Sequence, residues 1–69
     1  MAHIDLNETD RLILDELHEG RNVPANIADE LDVSRQYVQQ RLRRLREHGF
    51  VRNIGRGVYE LVEDPRENA

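Results

Sequence analysis

Sixty-nine residues without a cysteine allow one small domain and exclude a disulfide framework or a cysteine-based metal site. A chain this short buries only about 60% of its unfolded surface and is marginal alone. No apolar run approaches the ~20 residues of a membrane span and no charged-then-apolar start resembles a signal peptide, so the expected compartment is the cytoplasm.

The net charge of −4 is unevenly placed. Residues 1–34 hold nine acids and two arginines, residues 35–56 seven arginines and one acid, Glu47, and residues 57–69 four acids and Arg66. There is no lysine. Arginine-only basicity amid abundant Asp and Glu points to a GC-rich genome, and either to a salt-loving host or to codon bias alone. In a salt-loving host the acidic shell hydrates the protein, and its self-repulsion destabilises the fold when salt is removed. A concentrated positive segment in an acidic chain is a footprint for an anionic partner, with double-stranded DNA the first candidate.

In chain order, residues 1–6 read as a loose arm from which Ile4 and Leu6 can tuck against the core. Asn7 can cap a first helix, about 8–19, and Glu8 and Asp10 favour the positive end of its dipole. Leu12, Ile13, Leu14 and Leu17 form a wide apolar stripe on it, and Gly20 suits the position just past its end. Asn22-Val23 reads as a short bridging strand. Pro24 suits the first position of a second helix, about 24–31, burying Ile27, Ala28 and Leu31. Asp32-Val33 makes the turn, and Ser34 is a strong cap for a third helix, about 35–48, with Val38, Leu42 and Leu45 on one face and a stop at Gly49. Residues 50–54 and 58–62 read as two strands joined by Gly55-Arg56-Gly57. Asp64-Pro65 ends the ordered domain of residues 7–63, leaving 64–69 as a polar tail.

The apolar skeleton Ile27, Ala28, Leu31, Val33, Val38, Leu42, Leu45, followed by RLRRLREHGFV and a Gly-bounded hairpin, resembles the winged helix-turn-helix of bacterial and archaeal transcription regulators. More narrowly, PANIADELDVSRQYVQQRLRRLREHGFV with IGRGVYEL is similar to the small repressors of haloarchaeal viruses, the phi-H type, over about residues 7–65. The resemblance implies a small, mainly α (α+β) domain: a three-helix bundle with a two-stranded antiparallel wing. It also implies a sequence-specific regulator, a repressor that reads the major groove with residues 35–48. Asp32 departs from the glycine common at that turn. Asp tolerates a left-handed backbone better than most residues, and Asp32→Gly is expected to be stabilising.

With about 100° per residue, Val38, Leu42 and Leu45 define the buried side of the third helix. Gln36, Gln40 and Arg43 fall near the opposite side, flanked by Gln39 and Arg44. Glu47 also faces outward, near the end that leaves the groove. Gln pairs bidentately with adenine and Arg with guanine. The start of such a helix enters the groove deepest, so Arg35, Gln36, Gln39, Gln40 and Arg43 are candidate base contacts. Ser34 is a cap whose hydroxyl or amide can also touch phosphate. Tyr37 packs a phosphate or a thymine methyl, or else covers the second helix. Arg44 meets phosphate, while Arg41 and Arg46 lie over the apolar stripe. Arg56, between two glycines, suits minor groove or phosphate, against a plain exposed hairpin arginine. Arg52 can reach phosphate. At molar salt the Debye length is about 3 Å, so such a reader must lean on base contacts and shape.

No catalytic constellation is apparent. His3, His18 and His48 are scattered, none at metal-ligand spacing with a second His or acid, and His48 suits the helix dipole. Pairs such as Asp15-Glu16 and Asp29-Glu30 read as solvated faces. The chain is therefore expected not to be an enzyme and to need no metal, cofactor or small-molecule ligand. The rival reading is a winged-helix protein-interaction module, whose third helix would be apolar or acidic. RNA is disfavoured because a helix cannot enter the deep, narrow groove of an RNA duplex. A weak homodimer through helix 8–19 and the N-terminal arm, or one assembled on DNA, is a further expectation.

Overall fold

The computed structural model describes residues 5–68. Three helices, α1 (Glu8–His18), α2 (Pro24–Leu31) and α3 (Arg35–Glu47), are followed by an antiparallel pair, β1 (Val51–Asn53) and β2 (Tyr59–Leu61). Ile4 of the expected arm lies outside the described residues, whereas Leu6 packs at the edge of the core.

Each helix is bounded by local chemistry. Asn7 Oδ1 accepts from the Asp10 amide at 2.8 Å and Asp10 Oδ2 accepts from the Asn7 amide at 3.0 Å, a reciprocal capping box at the start of α1. The start of α2 carries Pro24 at its first turn and no side-chain cap. It ends at Asp32, held left-handed at φ 57°, with the Val33 amide reaching back to the Ala28 carbonyl at 3.1 Å. Ser34 Oγ accepts from the Tyr37 amide at 3.0 Å and caps α3. Gly49 at φ 80° turns the chain out of α3, and the Phe50 amide closes the end on the Leu45 carbonyl at 3.0 Å.

The core draws Ile13, Leu14 and Leu17 from α1, Ile27 and Ala28 from α2, Val38, Leu42 and Leu45 from α3, and Phe50 and Val51 from the start of the hairpin. The apolar side of α3 is thus seated on α1 and α2, which turns its polar side outward. Strand register pairs Val51 with Leu61, Arg52 with Glu60 and Asn53 with Tyr59. The strand expected at Asn22-Val23 is a single bridge. Asn22 and Tyr59 exchange two backbone hydrogen bonds, of 2.9 and 2.7 Å, and so pin the wing to the α1–α2 connection.

Three expectations need correction. Order does not stop at Asp64-Pro65, because Pro65–Asn68 forms a 3-10 turn. Asp64 is 3% exposed and folds this turn back onto α1 through Arg66 and His18. Nor does α1 keep spare apolar area for a second copy, since Ile13 and Leu14 are both fully buried within the domain and Leu12 is half-buried. Finally, Asp10 is more than a dipole partner, for it is fully buried. No helix among the described residues is long and apolar enough to cross a membrane.

Candidate nucleic-acid interface

The surface of α3 divides into three stripes. Gln36, Gln40 and Glu47 point away from the core and are exposed. On the flank toward α1, Asn7 Nδ2 donates to the Tyr37 hydroxyl at 3.0 Å. One turn on, Arg41 Nε and Nη2 each donate to Asp10, both at 2.7 Å. Hydrogen bonding to Asp10 raises the Arg41 pKa above its ordinary value, against the opposing effect of burial. Arg41 therefore does not lie over the apolar stripe as expected. It neutralises a buried carboxylate, which would otherwise be strongly destabilising.

The third stripe, Gln39, Arg43 and Arg46, faces the wing. These side chains form one wall of an open groove of about 360 Å³, with Asn53, Gly57 and Tyr59 of the hairpin opposite and Pro24 at its end. Arg46 is exposed and belongs to this groove, not to the apolar stripe. Its spacing of three and seven residues from Arg43 and Gln39 carried that signal. Arg35 sits apart, beside a smaller hollow of about 270 Å³ against α2.

The hairpin tip is unusual in its backbone. Gly55, Arg56 and Gly57 have φ of 115°, 57° and 73°, so an arginine is held left-handed between two glycines. The Asn53 side chain accepts from the Gly55 amide at 2.8 Å and stiffens the turn. Arg52 is exposed, but its Nε donates to Glu60 at 2.6 Å. Ser34, Arg35, Gln36, Gln39, Gln40, Arg43, Arg44 and Arg56 are all exposed, while Tyr37 is half-buried.

Carboxylates sort the ten arginines into two groups. Arg11, Arg21, Arg41, Arg52 and Arg66 each have an acidic partner within 4.0 Å. Among the described residues Arg35, Arg43, Arg44, Arg46 and Arg56 have none, although the chain holds fourteen acids. All five lie on α3 or the wing tip.

The fold also joins groups that the sequence left scattered. His18 Nε2 lies 2.8 Å from Asp64 Oδ2 and 3.6 Å from Glu67 Oε2, so a histidine does sit beside two acids. Such a set offers one nitrogen and two oxygens to a cation. The Arg66 guanidinium, however, already occupies Asp64, at 2.7 Å, and reaches Asp15 at 3.0 Å. The arrangement is foremost an ion-pair latch between α1 and the 3-10 turn, and it takes Asp15 out of the merely solvated class. His48 packs its ring against Phe50, with centroids 5.9 Å apart.

A three-helix unit with a basic third helix and a hairpin beside it defines a winged helix-turn-helix. The chain belongs to the winged helix-turn-helix DNA-binding family, whose pattern matches residues 6–52. The family and fold are those of DNA-binding regulators, not of enzymes. Among solved structures it is similar to T. acidophilum IdeR, at 28% sequence identity and a TM-score of 0.66. That likeness covers 94% of this chain and 31% of the other, so the chain spans about a third of that protein's length. No curated protein is significantly similar to it.

Proposed function

We propose that the domain is a sequence-specific regulator of transcription that lays α3 in the major groove of double-stranded DNA and represses by occupying a promoter. The observation that carries this reading is that every arginine without a carboxylate partner among the described residues lies on α3 or the wing tip. In an acidic chain, five guanidiniums without a carboxylate partner among the described residues, all on α3 or the wing tip, form a surface whose counter-charge comes from outside.

On this reading Gln36, Gln40 and Arg43 read base edges, with Arg35 and Gln39 beside them. Ser34, Arg44 and Arg52 hold phosphate, Tyr37 lies along the edge of the contact, and Arg56 enters the minor groove or meets phosphate at the wing. Any pairing of two copies is weak or is assembled on DNA. The compartment is the cytoplasm, and no cofactor or small ligand is required.

The acidic surface and absence of lysine fit a haloarchaeal protein of the phi-H repressor kind, whose melting temperature rises as KCl is raised toward molar concentration. The test of function is fluorescence anisotropy with a labelled random duplex at several salt concentrations. The reading requires binding that weakens linearly in log salt. Absence of binding at every salt where the fold persists would move the basic face to a protein partner.

A further inference from the structure

We infer that Asp10 sets the sequence-independent part of DNA affinity by masking Arg41, a recognition-helix arginine that the domain keeps off the phosphate backbone. The inference rests on the DNA-binding reading and concerns a residue outside the contact surface. Arg41 is on the α1-side flank of α3, one turn after Tyr37 and three residues before the exposed Arg44. A helix in the roughly 12 Å wide major groove has a phosphate backbone along each flank. An arginine on this flank would face one of those backbones, and its side chain is still 21% exposed.

Asp10 keeps Arg41 from that backbone. Its carboxylate is fully buried and takes both Arg41 donors at 2.7 Å, with the Asn7 amide on one of the same oxygens. A buried carboxylate cannot be left without its cation, so the pair holds through DNA binding. The two other flanking arginines of α3, Arg44 and Arg46, have no such partner among the described residues. The sequence therefore places seven arginines between positions 35 and 56 but withholds one of the five on α3 at the level of the fold.

Asp10→Asn tests this, because Asn keeps the volume and an oxygen for the Asn7 amide while removing the charge. Duplexes with and without the preferred site are titrated over a series of salt concentrations at which parent and variant both stay folded. Released Arg41 adds one phosphate contact, so log affinity against log salt steepens by about 0.9 for both duplexes and low-salt affinity rises severalfold. The ratio between the duplexes stays at the parental value, and Asp10→Asn with Arg41→Gln restores the parental slope. Unchanged slopes in a folded Asp10→Asn, or a lost preference between duplexes, overturn the inference and leave the pair a purely structural clamp. Asp10→Ser, which retains an oxygen at the cap, replaces Asp10→Asn if the latter does not fold. A parent that binds neither duplex removes the DNA reading itself, a result distinct from unchanged slopes on a binding parent.

Discussion

The side-chain amide of Asn7 donates to the Tyr37 hydroxyl at 3.0 Å, joining the cap of α1 to the first turn of α3 across 30 positions of sequence. Together with Asp10 and Arg41 it fixes the side of α3 that faces α1. A part-buried hydrogen bond of this kind contributes about 1 kcal/mol. Tyr37→Phe is expected to lose that much stability while DNA affinity stays at the parental value, because the hydroxyl is already engaged within the protein. Thermal unfolding and DNA titration of the same preparation separate the two effects. A clear loss of affinity with an unchanged melting temperature would instead place the hydroxyl on DNA.

Two non-glycine residues, Asp32 and Arg56, share φ of 57°, and they should answer a glycine substitution differently. Glycine relieves the left-handed cost but adds entropy to the unfolded chain. The net gain at Asp32 is expected to be about 0.5–1 kcal/mol, or roughly 2–8 °C in melting temperature for a domain of this size. Arg56→Gly is expected to gain similar stability and to lose DNA affinity, with a salt slope shallower by about 0.9. Strain kept at an exposed wing tip is the pattern of a functional position. Differential scanning calorimetry and anisotropy on both variants check the contrast.

The latch between the 3-10 turn and α1 makes a pH prediction. The Arg66 guanidinium, together with its backbone amide and His18, holds the Asp64 carboxyl far below its ordinary 3.8, outweighing the effect of burial. The unfolded chain therefore takes up this proton first as the pH falls. The stabilisation is fully present above the unfolded value, declines as pH drops below it, and is gone only once the folded value is passed. Asp64→Asn is expected to be less stable at neutral pH and to show a shallower decline between about pH 4 and 2. Circular dichroism melts across that range measure both.

Local chemistry made much of the fold legible before the structure. Asn7, Ser34 and Gly49 mark helix ends through capping and glycine geometry, and the apolar spacing of α3 separates its core side from its outward side. What escaped was long-range pairing. Asp10 lies three, four and seven residues before Ile13, Leu14 and Leu17, which puts a carboxylate on an apolar stripe and calls for a cation. The stripe was readable, but that Arg41 answers it depends on the packing of α1 against α3. The Asp64 latch escaped for the same reason, as His18 lies 46 positions from Asp64 and Asp15 lies 51 positions from its partner Arg66. The wing-side groove is only partly legible in the sequence, because Arg46 borders the apolar stripe on the helical wheel, although its spacing from Gln39 and Arg43 puts the three on one side of α3.

The most direct test of the central claim is selection from a random duplex library by the parent, Gln40→Ala and Arg43→Ala, followed by titration of the selected sites at several salt concentrations. The account expects the parent to select a short site. Each variant should relax selectivity at one base position by about 1–3 kcal/mol while remaining folded. Binding by the parent without any preferred sequence, or variants that weaken all duplexes equally, would contradict the reading of α3 as the element that reads bases.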